Sequence, residues 1–452
     1  MATAPRIDKL KEMKAGADWR AMLGDRLVSA EHAAEQIKSG DRVCMSIAQA
    51  TPFMMCAAVS ARLMEIDGVV VSHGAAVHDW NLPGLGERFK LQSFYVGPYD
   101  RELYSQGLAD FTPIQYYREG HLPPSLDDFN VYIVTVAPPD ANGFVNFGDV
   151  NIMSKLLARN AKMVIGEIDE SFIRIGGDNQ LHISEIGYFV ERNFELPALS
   201  LPVPSADEQK IIDTVCGLVA TELIPDRASI QVGVGSMSGA LMPHLANHHD
   251  LGMQTEIIPL HTAQLVRDGV LTGKYKKIFP ELVVGSGLAP LTPREELDYI
   301  NGNPRFQLYD FNFTDDIRLI AREEGLIAVN NAMAVDLTGQ ANSESIGPRM
   351  YTGTGGQTAF VTGACLGGGK TVIVVPSSSF VKGTRISRIM PTLEPASVVT
   401  APRGFVHHVV TEYGIATLKG KSIRERVNAM IAIAHPEFRT ELRAEANRMY
   451  NF

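Results

Sequence analysis

Cysteine is scarce in this sequence. The 452 residues hold four, Cys44, Cys56, Cys216 and Cys365, with no Cys-x-x-Cys pair. Thiols so few and so far apart exclude a disulfide framework and fit a reducing compartment. Long apolar runs are missing too. No stretch approaches the ~18 residues of a membrane span, and the polar start MATAPRIDKLKEMKAGADWR lacks the apolar core of a signal peptide. The expectation is a cytoplasmic protein with no membrane contact. Basic blocks are also absent. Lys plus Arg is 41 against 51 Asp plus Glu, a formal net charge of −10, so nucleic acid is not an expected partner. A polyanionic ligand would have to be held locally, by backbone N–H groups and a few placed cations.

What is present reads as a globular α/β protein. Apolar residues make up 45% and charged residues 20%, which excludes a disordered chain and a coiled-coil rod. The strands GDRVCMSI (40–47), GVVVSHGA (68–75), FNVYIVTVA (129–137) and KMVIGEID (162–169) alternate with the helices ATPFMMCAAVSARLM (50–64) and MSKLLARNA (153–161). Short β-branched strands separated by helices predict mainly parallel sheets. The proline-rich PALSLPVPSADEQ (197–209) marks a boundary, and its Ser205–Glu208 capping box starts a helix to about Leu223. The second half repeats the grammar: strand 228–235, helix 236–248, strand 255–259, then strands at 325–337, 370–376 and 405–414, and a last helix behind Ser422–Glu425. Two related open α/β domains are expected, 1–200 and 201–452.

Four motifs are weighed on their chemistry. Gly233-Val-Gly235-Ser-Met-Ser-Gly239 sits at a strand-to-helix turn, where glycines let an anion approach backbone N–H groups. Its third glycine comes one residue late for a dinucleotide fingerprint. NAD is therefore not expected, although Glu256 lies about where a ribose acid would be; a plain tight turn and an anion or oxyanion loop stay open. Gly363-Ala-Cys-Leu-Gly-Gly-Gly369-Lys370-Thr371 approaches a P-loop but precedes a strand instead of a helix. His244 and His248 have metal-ligand spacing without a catalytic glutamate, and no metal is expected. No Gly-x-Ser-x-Gly occurs, and neither Cys216 nor Cys365 has a base near it in sequence.

Many ordered strings carry a resemblance to a known family. GDRV (40–43), FYVGP (94–98), PPDANGFVNFG (138–148), HISEIGYFVE (182–191), QVGVGSMSGAL (231–241), AVDLTGQANSESIG (334–347), TGTGGQTAFVTGA (352–364) and VVTEYGIATLKGKSIRERV (409–427) together resemble the acetyl-CoA hydrolase/transferase family. These are class I CoA-transferases of the 4-hydroxybutyrate type. The resemblance implies an active site in the cleft between two α/β domains, an acyl-CoA thioester substrate with coenzyme A as its moiety, a possible carboxylate acceptor, and a homodimer or homotetramer. It implies an oxyanion loop at Gly233, Val234 and Gly235. It implies coenzyme A contacts at Gly353, Gly355, Gly356 and Gln357, with Asn331 beside them. The family reaction runs through a glutamyl anhydride and a glutamyl-CoA thioester.

Three positions depart from the family pattern. The nucleophilic glutamate is expected at Ala334, whose methyl group cannot form an anhydride. An acid is missing at Ala359 in Thr358-Ala359-Phe360. Gln254 stands where many relatives have His before Thr-Glu. An engineered Glu→Ala change and natural divergence both account for Ala334, and the further departures favour divergence. Hydrolysis is then the expected reaction, of a thioester or of the C–C bond of a β-ketoacyl-CoA. A CoA-transferase in inactivated form and a non-catalytic acyl-CoA-binding protein are the alternatives. Hydrolysis needs a general base. Glu185, His182, Glu256, His73 and His78 are the candidates. An apolar acyl pocket is expected from QATPFMM (49–55) and SHGAAVHDW (72–80), and phosphate-binding cations from Lys382 and Arg388.

Overall fold

The computed structural model describes residues 18–75, 77–114, 129–193 and 203–451. The chain divides into two compact units. The first takes the described residues up to Ile114, those from 129 to 193, and the segment Ser286–Phe313; the second takes those from 203 to Gly285 and from Thr314 onward.

Seven strands build the sheet of the first unit: β1 (Arg42–Met45), β2 (Val69–Gly74), β3 (Phe89–Tyr95), β4 (Ala109–Phe111), β5 (Val131–Val136), β6 (Met163–Ile168) and β7 (Tyr188–Glu191). They lie in the order β7-β6-β5-β1-β2-β3-β4, with every neighbour parallel. β5 is buried along its whole length, as a parallel strand covered on both faces must be. Helix α1 (Phe53–Arg62) packs Met55, Cys56 and Val59 into a core with Val43, Val71 and Ile133. Helix α2 (Ser154–Asn160) follows β5.

The second unit opens with α3 (Ala206–Leu223), where Ser205 and Glu208 form the expected capping box. Its strands are β8 (Ser229–Val232), β9 (Gly252–Gln254), β10 (Val283–Gly285), β11 (Ile327–Asn331), β12 (Lys370–Val374), β13 (His408–Thr411) and β14 (Gly414–Thr417). Their order is β14-β13-β12-β11-β8-β9-β10. β8 is parallel to β9 and β11, β12 to β11 and β13, and only β13–β14 is an antiparallel hairpin. Helix α4 (Gln357–Leu366) packs Ala359, Phe360 and Ala364 against Ile320, Leu326 and Ala328. Helix α5 (Ile423–Ile433) carries the second capping box. The two units share one topology. Each winds outward from its first strand, returns to that strand's other side, and winds outward again.

Four expectations need correction. Residues 286–313 lie within the expected 201–452 domain yet pack in the first unit: Phe306–Leu308 pairs with Gly176–Gly177, and Asn151 and Ile152 N–H donate to Ser286 O. The helix expected at 236–248 is a 3₁₀ helix, Ser238–Leu245, because Pro243 has no N–H for an α-helical bond. The strand expected at 255–259 is instead β9, ending at Gln254, followed by a short piece at Ile257–Ile258. The strand expected at 325–337 is broken. β11 stops at Asn331, and Ala334–Asp336 joins a separate small sheet with Ala341–Asn342 and Ile389–Met390. Among the described residues no helix is long and apolar enough to cross a membrane.

Candidate active site

In an open parallel sheet the crevice lies outside the carboxyl ends of the strands where the winding reverses. In the second unit that point is between β8 and β11. The residues leaving those two strands are Gly233-Val234-Gly235 and Asn331-Ala332-Met333-Ala334.

Two asparagines shape the glycine loop. Asn330 Oδ1 lies where a side chain on Gly233 would sit, and its amide exchanges hydrogen bonds with the Gln231 side chain at 2.9 and 3.1 Å. Asn331 Nδ2 donates to Val234 O at 3.1 Å and to Ser238 Oγ at 2.5 Å, while its Oδ1 accepts from Ser238 N at 3.0 Å. A Cβ on Gly235 would overlap the Asn331 amide, so only glycine fits there. Val234, at the tip of the loop, is 57% exposed. Among the described residues neither Val234 nor Gly235 gives its N–H to another backbone carbonyl. Backbone N–H groups on a fixed glycine loop are what an oxyanion needs.

Glu256 stands beside this loop. Thr255 Oγ1 donates to Val232 O at 3.2 Å, which ties the end of β9 to the end of β8. The Glu256 Oε2 accepts the N–H of Gly356, the residue that caps α4, at 3.0 Å. Burial pushes the Glu256 carboxyl up to about 7, and the Gly356 bond opposes that rise. On the same strand Gln254 Oε1 accepts from Lys276 Nζ at 3.4 Å; this ammonium also donates to Met253 O and Leu282 O at 2.8 and 2.7 Å. Burial lowers Lys276 to about 7.

The loop before α4 is clamped from below. Buried Glu344 bonds Thr354 and Thr400, and burial raises its pKa. Its N–H is held by Asn342 Oδ1 at 3.0 Å, and Asn342 pairs with Ala334 across the small sheet. Gly355 is in the left-handed region at φ 58°, and the Gln357 side chain begins α4. A second carboxylate, Glu412, accepts from Ser377 N at 2.9 Å and Ser377 Oγ at 2.5 Å.

The second unit thus gathers Gly233, Val234, Gly235, Asn331, Glu256, Gly353–Gln357 and Ala334. Ala334 itself is 8% exposed. Ala359, at 1% exposed, faces the core under α4. Lys382 is outside this group, exposed at φ 49° in the turn joining Ser378–Val381 to Thr384–Ser387. Arg388 is half-buried and its N–H donates to Ser377 O. His244 pairs with Asp213 at 3.5 Å and His248 Nε2 faces the Ala220 and Ile224 carbonyls, so the two imidazoles do not converge.

The other candidates belong to the first unit. Glu185 lies at the surface, paired with Arg159 at 3.2 Å. His182 bonds Ser184 Oγ at 2.8 Å. His73 is buried 3.5 Å from Asp100, and His78 Nε2 lies 3.0 Å from Ser60 Oγ; burial lowers the pKa of both. The start of α1 is held by a buried network. Arg192 donates to Glu167 at 2.8 Å and to Asp169 at 2.5 Å, and Glu167 accepts the Met55 N–H at 3.0 Å. Sequence reading missed Glu344 and Glu412, whose carboxylates are held by Thr400 and Ser377, far off in sequence, so no local signal could expose them.

The chain is similar to known proteins along its length. The acetyl-CoA hydrolase/transferase N-terminal domain pattern matches residues 9–199, and the C-terminal domain pattern matches residues 293–446. The chain is similar to a 4-hydroxybutyrate coenzyme A transferase of Clostridium kluyveri, at 34% identity over 96% of this chain and 100% of the relative. The structure of RipA from Yersinia pestis is similar over 96% of this chain and 100% of that one, at 30% identity and a TM-score of 0.87. The structure of a 4-hydroxybutyrate CoA-transferase from Porphyromonas gingivalis covers the same shares at 27% identity and a TM-score of 0.74.

Proposed function

We propose a reaction for this chain from one premise: it belongs to the acetyl-CoA hydrolase/transferase family and is an enzyme acting on acyl-CoA thioesters. Our reading is an acyl-CoA:carboxylate CoA-transferase with Glu256 as the nucleophile. One observation carries it. The site holds a carboxylate of its own, just past the end of β9, that accepts the N–H of Gly356, the cap of α4, while the adjacent Thr255 bonds Val232 O just before the glycine loop. Covalent catalysis in this reading needs no carboxylate at Ala334.

In this reading Glu256 attacks the thioester carbonyl carbon. The oxygen charge that develops falls to the Val234 and Gly235 N–H groups. The C–S bond breaks and an acyl-glutamyl anhydride forms. Departed CoA thiolate then adds to the Glu256 carbonyl of the anhydride and releases the carboxylate product, which leaves a glutamyl thioester. An acceptor carboxylate attacks that thioester, and the same two steps in reverse deliver the new acyl-CoA and free Glu256. No water is consumed. Aliphatic acyl groups such as 4-hydroxybutyryl, named in similar proteins, are the first substrates to try.

Hydrolysis is the second reading. A carboxyl near pKa 7 also suits a general base. One experiment separates the two. The protein is incubated with an acyl-CoA and no acceptor, and its peptides are weighed. Transfer predicts a coenzyme A adduct on the Glu256 peptide that acetate discharges as acetyl-CoA. Steady release of free coenzyme A, with no adduct and no need for acetate, would establish hydrolysis.

A further inference from the structure

Cations gather without acids at the far edge of the second unit's sheet. β13 begins at His408, and β14 runs the other way and ends at Thr417, opposite His408. That edge is the one away from the glycine loop and Glu256, which follow the carboxyl ends of β8 and β9. Arg403 precedes β13, Lys419 follows β14, and Arg426 lies near the start of α5. Arg426 is half-buried and already fixed. Its Nε donates to Lys421 O at 3.3 Å, and its Nη1 donates to Thr338 O and Arg403 O at 3.0 and 2.9 Å. Among the described residues its Nη2 has no protein partner. Gly339, at φ 94°, leaves room for this approach, since a Cβ there would lie 3.3 Å from Nη1.

These charges act on one another. Burial and then the Arg403 charge lower the Arg426 pKa. His407 is buried beside them, its Nε2 3.4 Å from Cys365 Sγ. Burial, then Lys419, His408 and Arg426, push its imidazole down to about 4. Arg403 and Lys419 are exposed and, like Arg426, form no salt bridge with a carboxylate among the described residues. The acids of the same stretches are engaged elsewhere. Glu425 accepts from Ser422 N and Oγ at 2.8 Å and from Lys421 Nζ at 3.4 Å. Asp336 accepts from Thr338 N and Oγ1 and from Gln340 N and Nε2. Unpaired like charges repel, although a chain of net charge −10 has acids in plenty to pair them. An anion from outside would balance the cluster.

We propose that Arg403, Lys419 and Arg426 bind a phosphate group at this edge of the second unit, apart from the candidate active site. A dianionic phosphate answers three positive charges better than a singly charged carboxylate does. Arg426 supplies fixed N–H donors at Nη2, and the two exposed side chains close on the remaining oxygens. Inorganic phosphate and the phosphate of a nucleotide share this chemistry. The site does not depend on how Glu256 reacts.

The test is titration calorimetry of the full chain at pH 8 with inorganic phosphate and, separately, with AMP, each against chloride of equal ionic strength. The wild type should bind, and the double variant Arg403→Ala, Lys419→Ala should bind more weakly by about tenfold or more, having lost two charge-assisted bonds. Both side chains are exposed, so the variant should keep its turnover of acyl-CoA in phosphate-free buffer. Lys419→Glu, which places an acid in the cluster, should weaken binding further than Lys419→Ala does. AMP binding tighter than phosphate supports the site with a nucleotide as its source; AMP binding no tighter supports it with free phosphate. No binding by either anion beyond that of chloride overturns the site. A loss smaller than tenfold in the double variant overturns it too, because the anion then sits elsewhere on the chain.

Discussion

Asn331 shows how much one side chain can govern. Its amide holds the Val234 carbonyl and both the hydroxyl and the N–H of Ser238, so it sets the direction of the loop without needing to touch substrate. Asn331→Ala removes all three bonds and keeps the fold's apolar core. The expected outcome is a fall in kcat of about 10²-fold, the scale of losing one oxyanion donor. KM for acyl-CoA should change by less than about threefold, since ground-state binding is not what the loop supplies. Steady-state kinetics over an acyl-CoA series checks it; a loss carried by KM would mean Asn331 serves coenzyme A binding instead.

Among the elements, legibility followed locality. The Ser205–Glu208 box was readable because its donors and acceptors lie three residues apart, and it forms as read. Ser205→Ala should cost about 1 kcal/mol, seen as a lower urea midpoint with an unchanged slope. The parallel strands were readable from their β-branched runs. The break after Asn331 was not, because no glycine or proline interrupts VNNAMAV and only tertiary pairing removes Ala334 from the sheet. The 3₁₀ helix at Ser238–Leu245 had its signal in Pro243, outweighed by an otherwise helical pattern. Glu256 could be named as a candidate but not ranked. Its partner Gly356 stands 100 residues away.

For the molecule as a whole, burial of acids sets a pH dependence. Asp310 belongs to the returning segment, and its Oδ2 accepts the N–H of Leu156 in the first turn of α2 at 3.3 Å. Burial pushes its carboxyl up to about 7, above an unfolded value of about 3.9. The native state therefore holds this proton where the unfolded chain has lost it. That contribution is full below about pH 4 and is lost as pH rises through about 7. Asp310→Asn cannot lose it. The Tm of the variant relative to wild type should thus climb between pH 5 and pH 8, measured by calorimetry; a constant difference would refute the burial argument. The same segment has a consequence for how the protein is made. Residues 286–313 complete the first unit, so a ribosome must translate the second unit as far as Gly285 before the first can close. Until Phe313 clears the exit tunnel, the nascent chain carries Gly176–Gly177 without the strand it pairs with and α2 without Asp310. The N-terminal half waits for the strand Phe306–Leu308, encoded more than a hundred residues downstream of Glu191, where its last sheet strand ends.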